Sequence, residues 1–226
     1  MALILNIETA TKNCSVSLAK SGVIIASKEI NTGNYSHAEK LHVFIKALME
    51  ETALSFADLS AIAVSKGPGS YTGLRIGVST AKGLAFAQDI PLLSVSTLKT
   101  LALQVTQECD YIIPMLDARR MEVFTQVFDN TKNALTEIEA KILVENSYQE
   151  YLNKGKVLFL GDGAEKFKAI CTHKNAIFLD NYFPSALAMH MVSYKKYQAQ
   201  ELEDTAYFEP FYLKDFAGLK LKDKKK

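Results

Sequence analysis

Two apolar runs that end on an acid, LILNIETA from Leu3 and YIIPMLDA from Tyr111, stand far apart in the chain and open the same order of elements. After the first come CSVSLAK and VIIASKEI, which read as a hairpin turning at Ser21–Gly22. SHAEKLHVFIKALMEETAL follows as a helix. Leu41, Phe44, Ile45, Leu48 and Thr52 recur at spacings of three and four, and Ser36 with Glu39 forms a capping box. LSAIAVSKGPG is a strand entering a loop, TGLRIGVSTAKGLAFAQ a second helix, PLLSVS a short strand and TLKTLALQVTQ a third helix. After Tyr111 the order repeats. MEVFTQVFD and ALTEIEAKILV are strands, and residues 145–153 are helical. KVLFLGDGAEKFKAI is a strand, turn and helix, NAIFLD a strand, and residues 185–200 a last helix. A duplicated strand–strand–strand–helix–strand–helix order implies an α/β architecture of two lobes. The expected division is an N-terminal lobe over 1–107, a C-terminal lobe over 108–213 and a basic, disordered tail over 214–226. With 48 % apolar residues, a sizeable core is within reach.

The stretch SKGPGSYTGLRIGVSTAKGLAF, from Ser65, concentrates glycine where the chain turns into a helix. A P-loop needs G-x-x-x-x-G-K-[ST], but Gly73 is followed by Leu74 and Arg75, so the phosphate-reaching lysine is missing. The dinucleotide fingerprint fails on spacing as well. Anion binding at the helix N-terminus, near Gly69 and Ser70, stays open on dipole grounds. Gly73, Gly77, Ala81 and Ala85 recur every fourth residue and make one stripe without bulk. Helical glycines cost up to about 1 kcal/mol each relative to alanine, so a close approach of other backbone is implied. Either the stripe packs inside its own lobe or it meets a helix of another molecule.

Other chemistry is sparse. His37 and His42 lie five apart on one helix, about 140° around the axis, and do not share an ion; His173 and His190 stand alone, so no metal site is expected. Glu8 and Asp117 end their strands, where a carboxylate faces a cleft between lobes or accepts turn amides in ETATKN and DARRME. Asp162 in GDGA either positions a phosphate loop or caps the next helix. Neither a Ser–His–Asp nor a Cys–His set is legible, and no catalytic residue is assigned.

The formal charge is +1, from 26 basic and 25 acidic residues, so no global field draws the chain to nucleic acid. KLKDKKK, from Lys220, is the one charge run, and reads as a solvated tail with RNA contact as its alternative. The three cysteines lack CxxC spacing and read as reduced thiols. MALIL breaks at Asn6 and Glu8, too soon for a signal peptide, and no run approaches the ~18 apolar residues of a membrane helix. A cytoplasmic protein is expected.

Together, ILNIETATKNCSVSL, SHAEKL, KGPGSYTGLRIGVSTAKGLAF, LDARRMEVF and GDGA resemble the TsaB (YeaZ) family over essentially the whole chain. Members of that family belong to the bacterial machinery that makes the tRNA nucleoside threonylcarbamoyladenosine, t6A. The resemblance implies the duplicated fold of the actin/Hsp70/sugar-kinase group (ASKHA, ribonuclease H-like). It implies a non-catalytic scaffold that binds and activates a TsaD-like catalytic subunit acting at adenosine 37 of ANN-decoding tRNAs. It also implies a TsaE-like ATPase that joins the pair, a homodimer when the chain is alone, and tRNA contacted mainly through the complex. ATP and metal are then expected in the assembled complex and not tightly on this chain. The HxxxH metal motif of the catalytic partners is absent, given the five-residue His37–His42 spacing. By the same resemblance the first two helices form the partner surface, with His37, Lys40, Leu41, Phe44, Gly73, Arg75, Gly77, Ala81 and Ala85 as its candidates. Glu8, Gly69, Ser70, Asp117, Arg119 and Asp162 are candidates for a vestigial nucleotide cleft. The competing expectation is an independent sugar-kinase-like or ATP-hydrolysing enzyme.

Overall fold

The computed structural model describes residues 1–31, 33 and 37–214. The expected capping serine Ser36 and the tail from residue 215 lie outside the described residues. Strands β1 (Leu3–Glu8), β2 (Cys14–Lys20), β3 (Val23–Ile30), β4 (Ala61–Gly67) and β5 (Leu92–Ser96) form a sheet in the order β3-β2-β1-β4-β5. β1 runs antiparallel to β2 and parallel to β4. Every residue of β1 is buried, which is what a central strand covered on both faces requires. Helices α1 (His37–Glu51) and α2 (Tyr71–Gln88) cover one face, packing Leu41, Ile45, Leu48, Val78, Ala81 and Ala85 against Leu5, Ile7, Val16 and Val64.

The second sheet repeats the first. Strands β6 (Tyr111–Asp117), β7 (Glu122–Thr125), β9 (Glu139–Ile142), β10 (Val157–Leu160) and β11 (Ala176–Leu179) lie in the order β11-β10-β6-β7-β9, with the short β8 (Phe128–Asp129) paired to β6. Read from its own first strand, this is the same path as in the first lobe. Helices α4 (Gln149–Leu152) and α5 (Ala164–Lys168) flank a core of Ile113, Tyr148, Phe159 and Phe167. The helix expected over 145–153 shrinks to α4 because Tyr148 before it is left-handed, at φ +58.

Two helices pack across the expected division at 107/108. Helix α3 (Thr97–Ala102) follows β5 of the first sheet. Its Leu98, Leu101 and Ala102, with Val105, nevertheless pack on Ile112, Leu116, Phe128 and Leu158 of the second sheet. It ends sooner than expected, in tight turns where Gln104 reaches the carbonyls of Thr100 and Phe183. The last helix, expected over 185–200, divides into a 3-10 turn at Ala186–Met189 and α6 (His190–Gln198). Both return to the first sheet, where Ala186, Met189, Val192 and Tyr197 cover Ile4, Ala63 and Leu93. The physical reason is β1: its second apolar face needs a cover, and α3, which touches β4 through Thr97 and Ser65, turns its leucines to the other sheet.

The segment after α6 continues along the first lobe. Glu203 N–H donates to Leu92 O, Lys82 Nζ to the carbonyls of Ala206 and Phe208, and Phe211 N–H to Lys66 O. Arg75 Nε donates to Tyr212 Oη at 3.1 Å while its guanidinium lies over the Tyr71 ring. No helix among the described residues is long and apolar enough to cross a membrane.

Candidate functional site

The glycines of the SKGPGSYTG stretch have a local explanation. A Cβ on Gly69 would meet the carbonyl oxygen of Ala10 at 2.5 Å, one on Gly73 would run into Thr9 O, and one on Gly77 into Thr9 Oγ1. All three make room for residues 9–10, the start of the loop after β1. Hydrogen bonds fix that approach: Ser70 N–H donates to Ala10 O at 2.7 Å, and Thr9 Oγ1 to Gly73 O at 2.8 Å. Ala81 and Ala85 continue the stripe into the core of the first lobe. The stripe therefore packs within its own lobe. With Leu41 and His37 also buried, six of the nine expected partner-surface residues (His37, Leu41, Gly73, Gly77, Ala81, Ala85) face inward. Lys40 and Phe44 are half-buried, and Arg75 is exposed but engaged with Tyr71 and Tyr212.

The outward faces of α1 and α2 have a different character. On α2 they carry Thr72, Arg75, Ser79, Gly83, Phe86 and Ala87. Phe86 is 83 % exposed, and Val43 on α1 is 58 % exposed. A Cβ on Gly83 would meet nothing within 4 Å. Unlike Gly73 and Gly77, this mid-helix glycine answers to no neighbour among the described residues.

Between the lobes lies a cleft of about 860 Å³, lined by Lys12, Gly69, Ser70, Asp117, Arg119, Gly161, Asp162, Lys168, Asp180, Tyr212 and Lys214, among others. Five of the six expected cleft residues reach it. Glu8 does not: it is fully buried behind residues 9–10, with Oε1 accepting Ala10 N–H at 2.7 Å. Burial, with the Glu29 charge adding to it, lifts its carboxyl from the ordinary 4.5 to about 7. The neighbouring Cys14 thiol is pushed to about 11, first by burial and then by Glu8.

Some of the charges in and beside the cleft are paired. Lys166 Nζ lies 2.9 Å from Asp117, Lys168 Nζ 3.0 Å from Asp180, and Lys214 ion-pairs with Glu122. Asp117 accepts Arg119 N–H, and Asp162 accepts Asp117 N–H at 2.9 Å. Crowding by surrounding protein, with the Asp117 charge adding to it, raises the Asp162 carboxyl although the residue itself is solvent-exposed. Of the alternatives the sequence left open, both strand-end acids hold turn amides. At the start of α2 the N–H groups of Ser70, Gly73 and Leu74 are donated within the chain, to Ala10 O, Ser70 Oγ and Ser70 O. Among the described residues no three His, Cys, Asp or Glu side chains come together as a metal site. His37 Nε2 instead meets Thr11 O at 2.6 Å, and His42 lies exposed.

Comparison with known proteins agrees with this architecture. Residues 31–218 match the family model described as TsaD, tRNA N6-adenosine threonylcarbamoyltransferase. A Bacillus subtilis protein named "tRNA threonylcarbamoyladenosine biosynthesis protein TsaB" is 34 % identical over 161 residues, which is 70 % of either chain. The chain belongs to the TsaB family. An Escherichia coli relative of the same name is 27 % identical over 94 % of both chains. The solved structure "YeaZ from Pseudomonas aeruginosa" superposes with a TM-score of 0.79 at 24 % identity, over 94 % of this chain and all of that one, and shares its fold. The shared fold is a duplicated α/β arrangement of two mixed sheets flanked by helices.

For a TsaB-family chain, the residues that sequence reasoning passed over are Gly83, Phe86 and Val43. Their signal was present. Gly83 falls two residues past Ala81 and breaks the four-residue stripe, and Phe86 is a large apolar residue one position beyond Ala85, on the wrong side of the helix for the core.

Proposed function

We propose that this chain is a non-catalytic subunit of the t6A machinery that binds a TsaD-like threonylcarbamoyltransferase through the outward faces of α1 and α2. The observation that carries this reading is Gly83. A mid-helix glycine costs up to about 1 kcal/mol, and nothing among the described residues requires it, so we read its use as a close approach from outside. Exposed Phe86 and Val43 supply apolar anchors beside it. The names of the relatives supply the pathway. A Halalkalibacterium halodurans protein named "tRNA N6-adenosine threonylcarbamoyltransferase" is 34 % identical over 108 residues, 41 % of this chain and 32 % of that one. Two related chains with related faces can pair with each other or each with itself, so the same face makes a homodimer when the chain is alone. The catalytic subunit supplies metal and nucleotide chemistry, a TsaE-like ATPase joins the pair in the cytoplasm, and tRNA is met mainly through the complex.

The test is copurification with the TsaD-like subunit, with t6A formation on ANN-decoding tRNA measured with and without this chain. Phe86→Glu is expected to abolish association and t6A formation while leaving the melting curve unchanged. Full association in that variant rejects this face. Tight magnesium–ATP binding by the isolated chain, measured by calorimetry, would turn the reading toward an independent kinase or ATPase.

A further inference from the structure

The loop after β1 is a junction, and Glu8 stands beneath it. From this loop Thr9 Oγ1 donates to Gly73 O on α2, and Ala10 O accepts Ser70 N–H at the α2 cap. Thr11 O accepts His37 Nε2–H from the first turn of α1, and Asn13 Nδ2 donates to Pro184 O at the start of the returning C-terminal segment. Three glycines in and before α2 hold the helix close enough for these bonds to form. The loop's own anchor is the Glu8 Oε1 to Ala10 N–H bond at 2.7 Å. Glu8 is completely buried, with the Ser65 hydroxyl and the Thr9 amide also near its carboxyl, and its Oε2 makes no hydrogen bond of good geometry among the described residues.

We infer that Glu8 is a positioning residue, which fixes the relative placement of α1 and α2, and with it the outward face they share, by anchoring the loop at residues 9–13. This rests on the proposal that the face is the partner surface. Only Oε1 is needed for the anchor, so an amide in place of the carboxyl preserves it. Removal of the side chain frees the Ala10 amide, and through Ala10 O the α2 cap.

The experiment combines backbone hydrogen exchange on the isolated chain with association to the TsaD-like subunit, for Glu8→Gln, Glu8→Ala and Thr9→Val. Glu8→Gln is expected to keep wild-type protection at Ala10 and Ser70 and wild-type association. Glu8→Ala is expected to raise exchange at both amides, and to weaken association roughly tenfold, with a cooperative melt retained. Thr9→Val removes the hydroxyl bond to Gly73 O without shrinking the side chain, and serves in place of Glu8→Ala should that variant not fold. It is expected to raise exchange at the α2 cap and to weaken association in the same direction. Glu8→Gln behaving like Glu8→Ala would overturn the inference, as would unchanged exchange at Ser70 in whichever of the two disrupting variants folds. Phe86→Glu separates the two claims. If it leaves association intact, the face is wrong and exchange alone decides the role of Glu8. If it abolishes association while Glu8→Ala and Thr9→Val do not weaken it, the face stands and the positioning role falls.

Discussion

The two lobes solve one packing problem twice and then diverge at a single acid. In the first, Gly69, Gly73 and Gly77 bring the turn after β4, and the helix it opens, against residues 9–10, past the end of β1. In the second, Gly161 and Gly163 bring the turn after β10 against Met115 and Leu116 at the end of β6. Glycine serves backbone proximity in both. Glu8 and Asp117 close the corresponding strands, and both accept an N–H two residues on, from Ala10 and Arg119. Their surroundings differ. Glu8 is enclosed by β2 and β4 with no cation paired to it, while Asp117 is exposed and held by Lys166. Equivalent topology thus fixes where the acid sits and what amide it holds, but the covering elements decide what else surrounds it.

The shared part of this comparison breaks most visibly by adding one methyl. Gly73→Ala drives a Cβ into the backbone carbonyl of Thr9, which has no rotamer to escape by. The expected loss is near the upper end of overpacking, about 3 kcal/mol. For a chain of this size that is a fall in melting temperature of roughly 10 °C. Gly161→Ala in the other lobe meets Met115 O and also a backbone at φ +100, and should cost at least as much. Thermal melts of the two variants check the symmetry. A lobe that tolerates the methyl does not depend on the close approach.

The divergent part is read by pH. The Glu8 carboxyl is raised, so the folded chain keeps a proton that the unfolded chain has released. Stability contributed by this site is intact below about pH 4.5, declines as pH rises towards 7, and stays lower by about 3 kcal/mol above it. Glu8→Gln removes that decline. Its stability relative to wild type should therefore increase by about 3 kcal/mol between acid and mildly alkaline conditions, as measured by urea titration at several pH values. A difference that does not change with pH would mean that Glu8 does not ionise within that window.

The third contrast lies within α2. Gly83→Ala should stabilise the isolated chain by up to about 1 kcal/mol, since the added methyl meets nothing and helix propensity improves. The same methyl should weaken association with the TsaD-like subunit. Opposite signs in the melt and in the binding measurement are the mark of a residue kept for a partner, whereas Gly73→Ala shows loss in the melt itself.

These contrasts also mark how far the sequence could be read. The duplication was legible because buried strands are continuous apolar runs and both end on an acid. The crossing of α3 and α6 was not, since an amphipathic helix reveals its apolar face but not which sheet receives it. The α2 stripe was legible as a demand for close approach. What approached it was not, because Thr9 and Ala10 lie far away in sequence and only the β1–β4 pairing brings them near. Gly83 was hidden by the stripe beside it: the period of four drew attention to the face the core uses, and the residue outside that period lies on the outward face that we propose for a partner.

The smallest expected effect tests whether Asp117 relies on its cation as Glu8 relies on burial. Lys166 Nζ donates to Asp117 Oδ1 at 2.9 Å and to Glu122 O at 3.1 Å, bridging the two ends of the β6–β7 hairpin. Exposed ion pairs contribute under about 1 kcal/mol, because water screens the charges and ordering the lysine costs entropy. The Asp117 carboxylate also keeps its bond to Arg119 N–H, and its own N–H stays on Asp162, when the lysine is gone. Lys166→Met, which retains the apolar stem, should therefore lower stability by less than about 1 kcal/mol, and the loss should shrink further in high salt. A loss several times larger and insensitive to salt would make Lys166 the structural counterpart of the burial that holds Glu8. The two lobes would then differ in the means of fixing the turn and not in how firmly it is fixed.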